Sequence, residues 1–146
     1  MGWIGIPEFH AALSAMTQRV DAATRLSVIQ TGAELENRAK NNFVGSHSRR
    51  EKRVPNGTPG KPNIVTGTLR RGIRGTPVVR IAGGYTTTVG PTTIYGRRVE
   101  LGFVGTDSRG RKYNQPAYPY FGPAVKEVRL RAREIAVTNW AAAIHG

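Results

Sequence analysis

The residues of this chain that can perform acid–base, nucleophilic or metal chemistry are few and scattered. The three histidines, His10, His47 and His145, lie far apart, and none has the spacing of a metal-binding motif such as His-Glu-x-x-His. The sequence contains no cysteine, so nothing indicates a thiolate metal site. No glycine-rich phosphate loop and no Gly-x-Ser-x-Gly motif is present. The sequence therefore predicts a protein that is not an enzyme and that has no cofactor.

Two carboxylates leave one catalytic alternative open. Glu100 and Asp107 could meet in the folded chain and hold a metal ion, as carboxylates do in metal-dependent nucleases. Glu100, however, follows Arg97 and Arg98, and an acid among cations is typical of an ion pair. An exposed pair of this kind, within a subunit or between subunits, contributes under about 1 kcal/mol. His47 is interpreted as a loop residue that adds charge at low pH.

Positive charge is the strongest chemical signal in the sequence. The 146 residues include 22 Lys and Arg against 9 Asp and Glu, a formal net charge of +13. Such an excess attracts nucleic acid or anionic lipid, or is neutralised by an acidic partner. The densest cluster has few aromatic residues around it for base stacking, so contact with backbone phosphates is the simpler hypothesis; a solvated loop is the alternative. The cluster consists of Arg49, Arg50, Lys52 and Arg53.

A long helix is predicted over residues 8 to 42, because apolar side chains recur there at steps of three and four. Pro7 suits the first helical position, and Gly32 is a weak point that costs about 1 kcal/mol relative to Ala. A helix of about 50 Å exceeds what a small core covers, so we expect part of the stripe to contact another subunit. The stripe consists of Phe9, Leu13, Met16, Val20, Ala23, Leu26, Ile29 and Ala33.

The middle of the chain predicts a β-hairpin and polar loops. Val78 to Ala82 and Tyr85 to Val89 flank Gly83-Gly84, a pair that favours a tight turn. Residues 94–102 fit either a short helix or a strand, and residues 103–116 are predicted to be a polar loop.

A flexible basic loop is expected at about residues 43–65, which are rich in Gly, Pro and Ser. A C-terminal helix is predicted to open at Gly122-Pro123. No stretch approaches the roughly 20 apolar residues of a membrane span. The sequence therefore predicts one α+β domain over residues 1–146, with a long N-terminal helix, a small antiparallel β-sheet with a hairpin, and a C-terminal helix.

Three segments, Thr66 to Ile73, Ile94 to Gly102 and Pro116 to Ala124, resemble successive signatures of the tail-component family of tailed bacteriophages. Members of that family are tail completion or neck proteins of long-tailed phages (siphoviruses). The resemblance covers nearly the whole chain, and this sequence departs from the family pattern at Gly72 and in a basic insertion at 45–62. The residues that carry the resemblance are Thr66, Gly67, Leu69, Arg70, Tyr95, Val99, Glu100, Gly102, Pro119, Tyr120, Pro123 and Ala124.

The motif residues also predict structural roles without the family. Gly67 and Gly102 are expected where the backbone needs a positive φ or where a side chain would clash. Pro119 and Pro123 stiffen the approach to the last helix. The aromatic residues beside them, Tyr118, Tyr120 and Phe121, are expected in the core, with a subunit interface as the alternative.

The resemblance implies a minor structural protein of the virion, synthesised in the host cytoplasm. Copies would form a ring, expected to be a hexamer, at the top of the tail, where it joins the head-closure protein and the tail terminator or tail tube. Genomic DNA would pass through the lumen during ejection, with the 49–53 cations facing it. Those cations could instead grip an acidic neck or tube protein.

Two other functions fit the sequence. One is a tail terminator ring that caps the tube, which belongs to the same junction. The other is a free, non-specific nucleic-acid-binding protein, which would bind DNA tightly as a monomer or dimer, whereas a neck subunit would bind weakly until it is multivalent.

Overall fold

Two antiparallel helices form the frame of the fold in a computed structural model that describes residues 5–45 and 60–146. Helix α1 spans Ile6–Asn41 and helix α4 spans Phe121–His145. Near one end of the pair Arg38 forms an ion pair with Glu127, and towards the other the Trp140 Nε1 donates to Thr24 Oγ1 over 3.0 Å. Both predicted helices are confirmed. The sequence predicted both ends of the first helix and the start of the second, and each lies within two residues of its predicted position.

Between the helices lie two short helices and six short strands. They are α2 (Thr68–Gly72), β1 (Ile73–Gly75), β2 (Val79–Ile81), β3 (Gly84–Thr86), β4 (Val89–Pro91), α3 (Gly96–Leu101), β5 (Phe103–Thr106) and β6 (Lys112–Gln115). The strands form three separate two-stranded antiparallel sheets, β1 with β4, β2 with β3, and β5 with β6. The α+β prediction is confirmed, and the ambiguous segment 94–102 contains a helix.

The predicted hairpin is present, but its turn lies one residue earlier than expected. Ile81 pairs with Gly84, so the turn residues are Ala82 and Gly83, and Gly83 has a φ of +85°. Asp21 of α1 anchors this hairpin, because its Oδ2 accepts hydrogen bonds from Arg80 at 2.6 Å and from the Tyr85 hydroxyl at 2.7 Å.

The prediction of a polar loop over residues 103–116 was wrong, since these residues form the β5–β6 hairpin. Its turn is built by Asp107, whose Oδ1 accepts the backbone N–H of Arg109 at 2.9 Å and of Arg111 at 3.0 Å. The Arg111 side chain beside Asp107 holds the pKa of that carboxyl below its ordinary value. Local turn chemistry thus organises a segment whose polarity suggested a loop.

The core lies at the end of the frame where α1 finishes and α4 begins. Its largest fully buried side chains are Tyr120 and Ile73, and the Phe43 ring packs on the Tyr120 ring with centroids 5.0 Å apart. The flanks of the predicted loop are held together, because Val44 N donates to Pro62 O over 3.1 Å. The buried cluster consists of Ala39, Phe43, Leu69, Ile73, Tyr120 and Ala124.

Within residues 5–45 and 60–146, neither long helix has a stretch apolar enough to cross a membrane.

Candidate functional site

The three motif segments meet at the start of α4, and Glu100 joins two of them. Its Oε2 accepts the backbone N–H groups of Tyr120 at 2.8 Å and Phe121 at 2.9 Å, and its Oε1 accepts that of Gly122 at 2.8 Å. The first N–H groups of a helix lack partners within the helix and carry partial positive charge. Glu100 therefore caps the N-terminus of α4 from a distant position in the sequence, while Tyr120 is the N-cap residue. The described residues place no cation within ion-pair distance of Glu100, so the ion pair expected within the subunit is absent there, and a pair across a subunit interface stays a prediction.

Tyr120 occupies the centre of the same junction. Its side chain is 1% exposed, and its hydroxyl donates to the Gly96 carbonyl over 3.3 Å. Burial, with the nearby Glu100 charge, raises the pKa of Tyr120 to about 12. A Cβ on Gly96 would lie 2.8 Å from Pro91 and 3.0 Å from the Tyr120 hydroxyl. Gly96 therefore permits the close approach that seats this ring. The core prediction is confirmed for Tyr120, whereas Tyr118 and Phe121 are partly buried.

The two motif glycines adopt the backbone that the sequence predicted. Gly67 has a φ of +71° and Gly102 a φ of +76°. At Gly102 a Cβ would also lie 2.8 Å from the carbonyl oxygen of Gln115, so both the conformation and the space require glycine. Beyond it, Tyr118 N donates to Val99 O over 2.8 Å, which joins the second and third motif segments through the backbone.

The remaining motif residues divide between core and surface. Leu69 and Ala124 are buried, while Arg70, Thr66 and Tyr95 are exposed. Thr66 and Tyr95 line a recess of about 150 Å³ together with Phe43. Pro119 and Pro123, both partly buried, bracket the first residues of α4. Most of the motif residues thus build the junction rather than a catalytic centre.

No family model, curated protein or solved structure matches this chain. The resemblance to tail components therefore depends on the three segments alone.

The carboxylates proposed as a metal pair have other partners. Glu100 caps α4, and Asp107 holds the β5–β6 turn. Across residues 5–45 and 60–146, no group of three His, Asp or Glu side chains is arranged to hold a metal ion. The geometry around these two carboxylates supports structural roles.

The basic cluster at Arg49, Arg50, Lys52 and Arg53 lies outside the described residues. The structure brings together a second cation cluster that the sequence analysis missed, consisting of Lys40, Arg70, Arg71 and Arg74. These side chains line a surface recess of about 220 Å³. They come from α1, α2 and β1, so their assembly depends on tertiary contacts, and the only sequence signal was the Arg70-Arg71 pair.

Helix α1 extends well beyond the end of α4. Since Trp140 contacts Thr24 and α4 ends five residues later, at His145, α4 finishes about opposite Arg19. About 13 residues of α1, roughly 20 Å of helix, therefore project past it. We call residues 6–18 the overhang; its apolar side chains are exposed, with Ile6 at 75% and Phe9 at 57%.

Within the chain, α4 covers only part of the apolar stripe of α1, and the expected contact of the rest with another subunit stays a prediction. Ala23 is buried and Val20 is partly buried, because these residues lie where α4 covers α1. The overhang lies beyond the end of α4, and Ile29 lines a recess with Gly32 and Thr87 on the side of α1 that faces the strands. The stripe residues classed as exposed are Phe9, Leu13, Met16, Leu26, Ile29 and Ala33.

Proposed function

We propose that this chain is a non-enzymatic structural subunit that assembles head to tail into a ring. By the resemblance of its three motif segments, the ring is a tail completion or neck ring at the head–tail junction of a long-tailed phage, expected to be a hexamer. The overhang is the single observation that carries the proposal. An apolar helix face of this length in a chain of charge +13 requires a partner surface.

The apolar residues of the overhang continue the same seam that α4 covers further along α1. Ile6, Phe9, Leu13 and Met16 follow one another at steps of three and four residues, and Val20 and Ala23 continue the series. This is the spacing of a helix–helix packing face. The overhang is therefore shaped to receive a helix.

A second exposed apolar stripe, on α4, provides a surface of matching size. Leu130, Val137 and Ile144 recur every seven residues and are exposed, with Trp140 beside them. Taking roughly 200 Å² for a large apolar side chain, each stripe leaves on the order of 400 Å² of apolar surface exposed. The α4 stripe is about 21 Å long and the overhang stripe about 15 Å, so one fits along the other.

Packing the overhang of one copy on the α4 stripe of the next makes a heterologous interface, in which each subunit uses two different surfaces. Such an interface produces a ring when its rotation closes. One contact of this size buries on the order of 800 Å² of apolar surface from the two subunits together, which is below the roughly 1,200 Å² of a standard specific interface. Closure gives every subunit two such contacts and stabilises the ring through multivalency.

The test compares the assembly of the wild-type chain with variants in each stripe, by sedimentation velocity and native mass spectrometry. We expect Phe9→Ser with Leu13→Ser, and separately Leu130→Ser with Val137→Ser, to abolish the ring while retaining the circular dichroism spectrum. Ile94→Ser with Val104→Ser removes two apolar side chains that lie outside both stripes and are more exposed than the stripe residues, and it should leave the ring intact.

Mixing the two stripe variants distinguishes the packing modes. In the mixture, the α4 variant supplies an intact overhang and the overhang variant supplies an intact α4 stripe. A heterologous interface therefore yields a heterodimer and no ring. If overhangs packed on each other, the α4 variant would assemble normally. A wild-type chain that is monomeric at every concentration contradicts the proposal, and cryo-electron microscopy of virions would test the neck location against a terminator position.

A free nucleic-acid-binding protein is the second candidate function, and the recess lined by Lys40 and three arginines favours it. That function requires tight DNA binding by a monomer or dimer. The same sedimentation experiment, repeated with DNA, separates the two.

A further inference from the structure

The recess formed by Lys40, Arg70, Arg71 and Arg74, here called the cation recess, is lined by these four side chains. Its volume of about 220 Å³ is several times the roughly 30 Å³ of a water molecule. The lining has no aromatic or apolar side chain that could hold a base or a sugar. Its chemistry therefore fits an anion alone.

The charge in the recess is only partly balanced. Glu36 forms an ion pair with Lys40 and accepts the Gly75 N–H at 3.0 Å. The Lys40 ammonium keeps the pKa of the Glu36 carboxyl below its ordinary value, so Glu36 offsets one of the four positive charges around the recess. Among the residues that the structure describes, Arg70, Arg71 and Arg74 have no carboxylate within ion-pair distance, which leaves three formal positive charges.

Two of the guanidinium groups are held in position by the backbone. Arg70 Nε donates to the Lys40 carbonyl over 3.1 Å, and Arg74 Nε donates to the Arg71 carbonyl over 3.3 Å. Each bond uses Nε and leaves the terminal nitrogens available. A guanidinium presents paired N–H groups that match two oxygens of one phosphate. The recess is thus organised before any ligand arrives.

We infer that the cation recess binds the phosphodiester backbone of nucleic acid without reading its sequence. Arg70 on α2 and Arg74 on β1 line the same recess, and duplex DNA presents one negative charge per about 1.7 Å of axis, so several cations can be engaged at once. This site is independent of the cluster at residues 49–53 and does not depend on ring assembly.

The test measures binding of a labelled DNA duplex of arbitrary sequence to the full chain, by fluorescence anisotropy over a series of salt concentrations. The variant is Arg70→Gln, Arg71→Gln, Arg74→Gln. Its control, Arg97→Gln, Arg109→Gln, Lys112→Gln, removes the same charge from exposed cations that lie apart from the recess and form no ion pair with a described residue. We expect the recess variant to bind at least about tenfold more weakly and to lower the slope of log K against log salt by about 2 to 3.

Equal losses in the two triple variants, or wild-type binding by the recess variant, would overturn the inference. Polyglutamate serves as a second probe: if its binding needs the three arginines and duplex binding does not, the partner is an acidic protein and the inference fails. Replacing the three arginines by Lys retains the charge without the paired N–H groups. Its affinity for the duplex should lie between those of the wild-type chain and the triple Gln variant. Sedimentation of the same variants reports ring assembly, which should be unchanged, so failure here and failure of the ring proposal are distinguishable.

Discussion

Glu100 illustrates how one side chain determines the start of an element. Three backbone N–H groups at the beginning of α4 donate to its two oxygens. These N–H donors are partly buried and their acceptor is charged. Losing the three hydrogen bonds therefore lowers the free energy of unfolding more than losing a surface ion pair does. The charge of Glu100 also opposes the positive end of the α4 dipole.

We therefore expect Glu100→Ala to lower the free energy of unfolding by about 2 to 3 kcal/mol, with a smaller loss for Glu100→Gln, which retains one acceptor oxygen. Urea denaturation followed by circular dichroism measures it. Glu127→Ala, which removes the exposed partner of Arg38, is the control and should cost under about 1 kcal/mol. Similar losses for Ala at both positions would show that Glu100 acts as an ordinary ion-pair residue.

At the scale of elements, Gly32 determines how closely the β-sheet region approaches α1. The helix continues through Gly32 without interruption, so the expected weak point is a contact point instead. A Cβ there would lie 3.0 Å from Cγ2 of Thr87. That methyl cannot easily turn away, because the Thr87 hydroxyl donates to the Thr76 carbonyl over 2.7 Å.

Gly32→Ala alone should therefore not raise the free energy of unfolding by the roughly 1 kcal/mol that Ala normally gains over Gly in a helix. In a Thr87→Ser background, which retains the hydroxyl and removes the methyl, the same substitution should stabilise the chain by up to about 1 kcal/mol. Thermal and urea unfolding of the four variants in this cycle measure the coupling. Equal effects of Gly32→Ala in both backgrounds would exclude the contact.

The elements that the sequence predicted well are those whose pattern is local. Periodic apolar spacing located both long helices, and Gly83 located the first hairpin. The β5–β6 hairpin was missed because Asp107 and Gly110 organise its turn within a polar stretch. The cation recess was missed because Lys40 and Arg70 are distant in sequence and meet only through tertiary packing. Part of the apolar stripe of α1 was predicted to contact another subunit, but its periodicity does not indicate which part is covered within the chain.

At the scale of the whole molecule, the net charge of +13 disfavours assembly, whereas burial of the apolar stripes favours it. Like charges on adjacent subunits repel, and salt screens that repulsion over a Debye length of about 10 Å at 0.1 M. Burial of apolar surface is not weakened by such screening. Ring formation should therefore be favoured, or at least maintained, as the salt concentration rises.

DNA binding should respond in the opposite direction. Three phosphate contacts in the cation recess give a slope of about −2.7 in log K against log salt, so a tenfold rise in salt weakens binding by two to three decades. Sedimentation and anisotropy on the same samples, from about 0.05 to 0.5 M NaCl, should show the ring persisting while DNA is released. A ring that dissociates over this range would mean that charge pairs, rather than the overhang and the α4 stripe, hold the subunits together. The interface would then consist of ionic surface residues and not of Phe9 and Leu13.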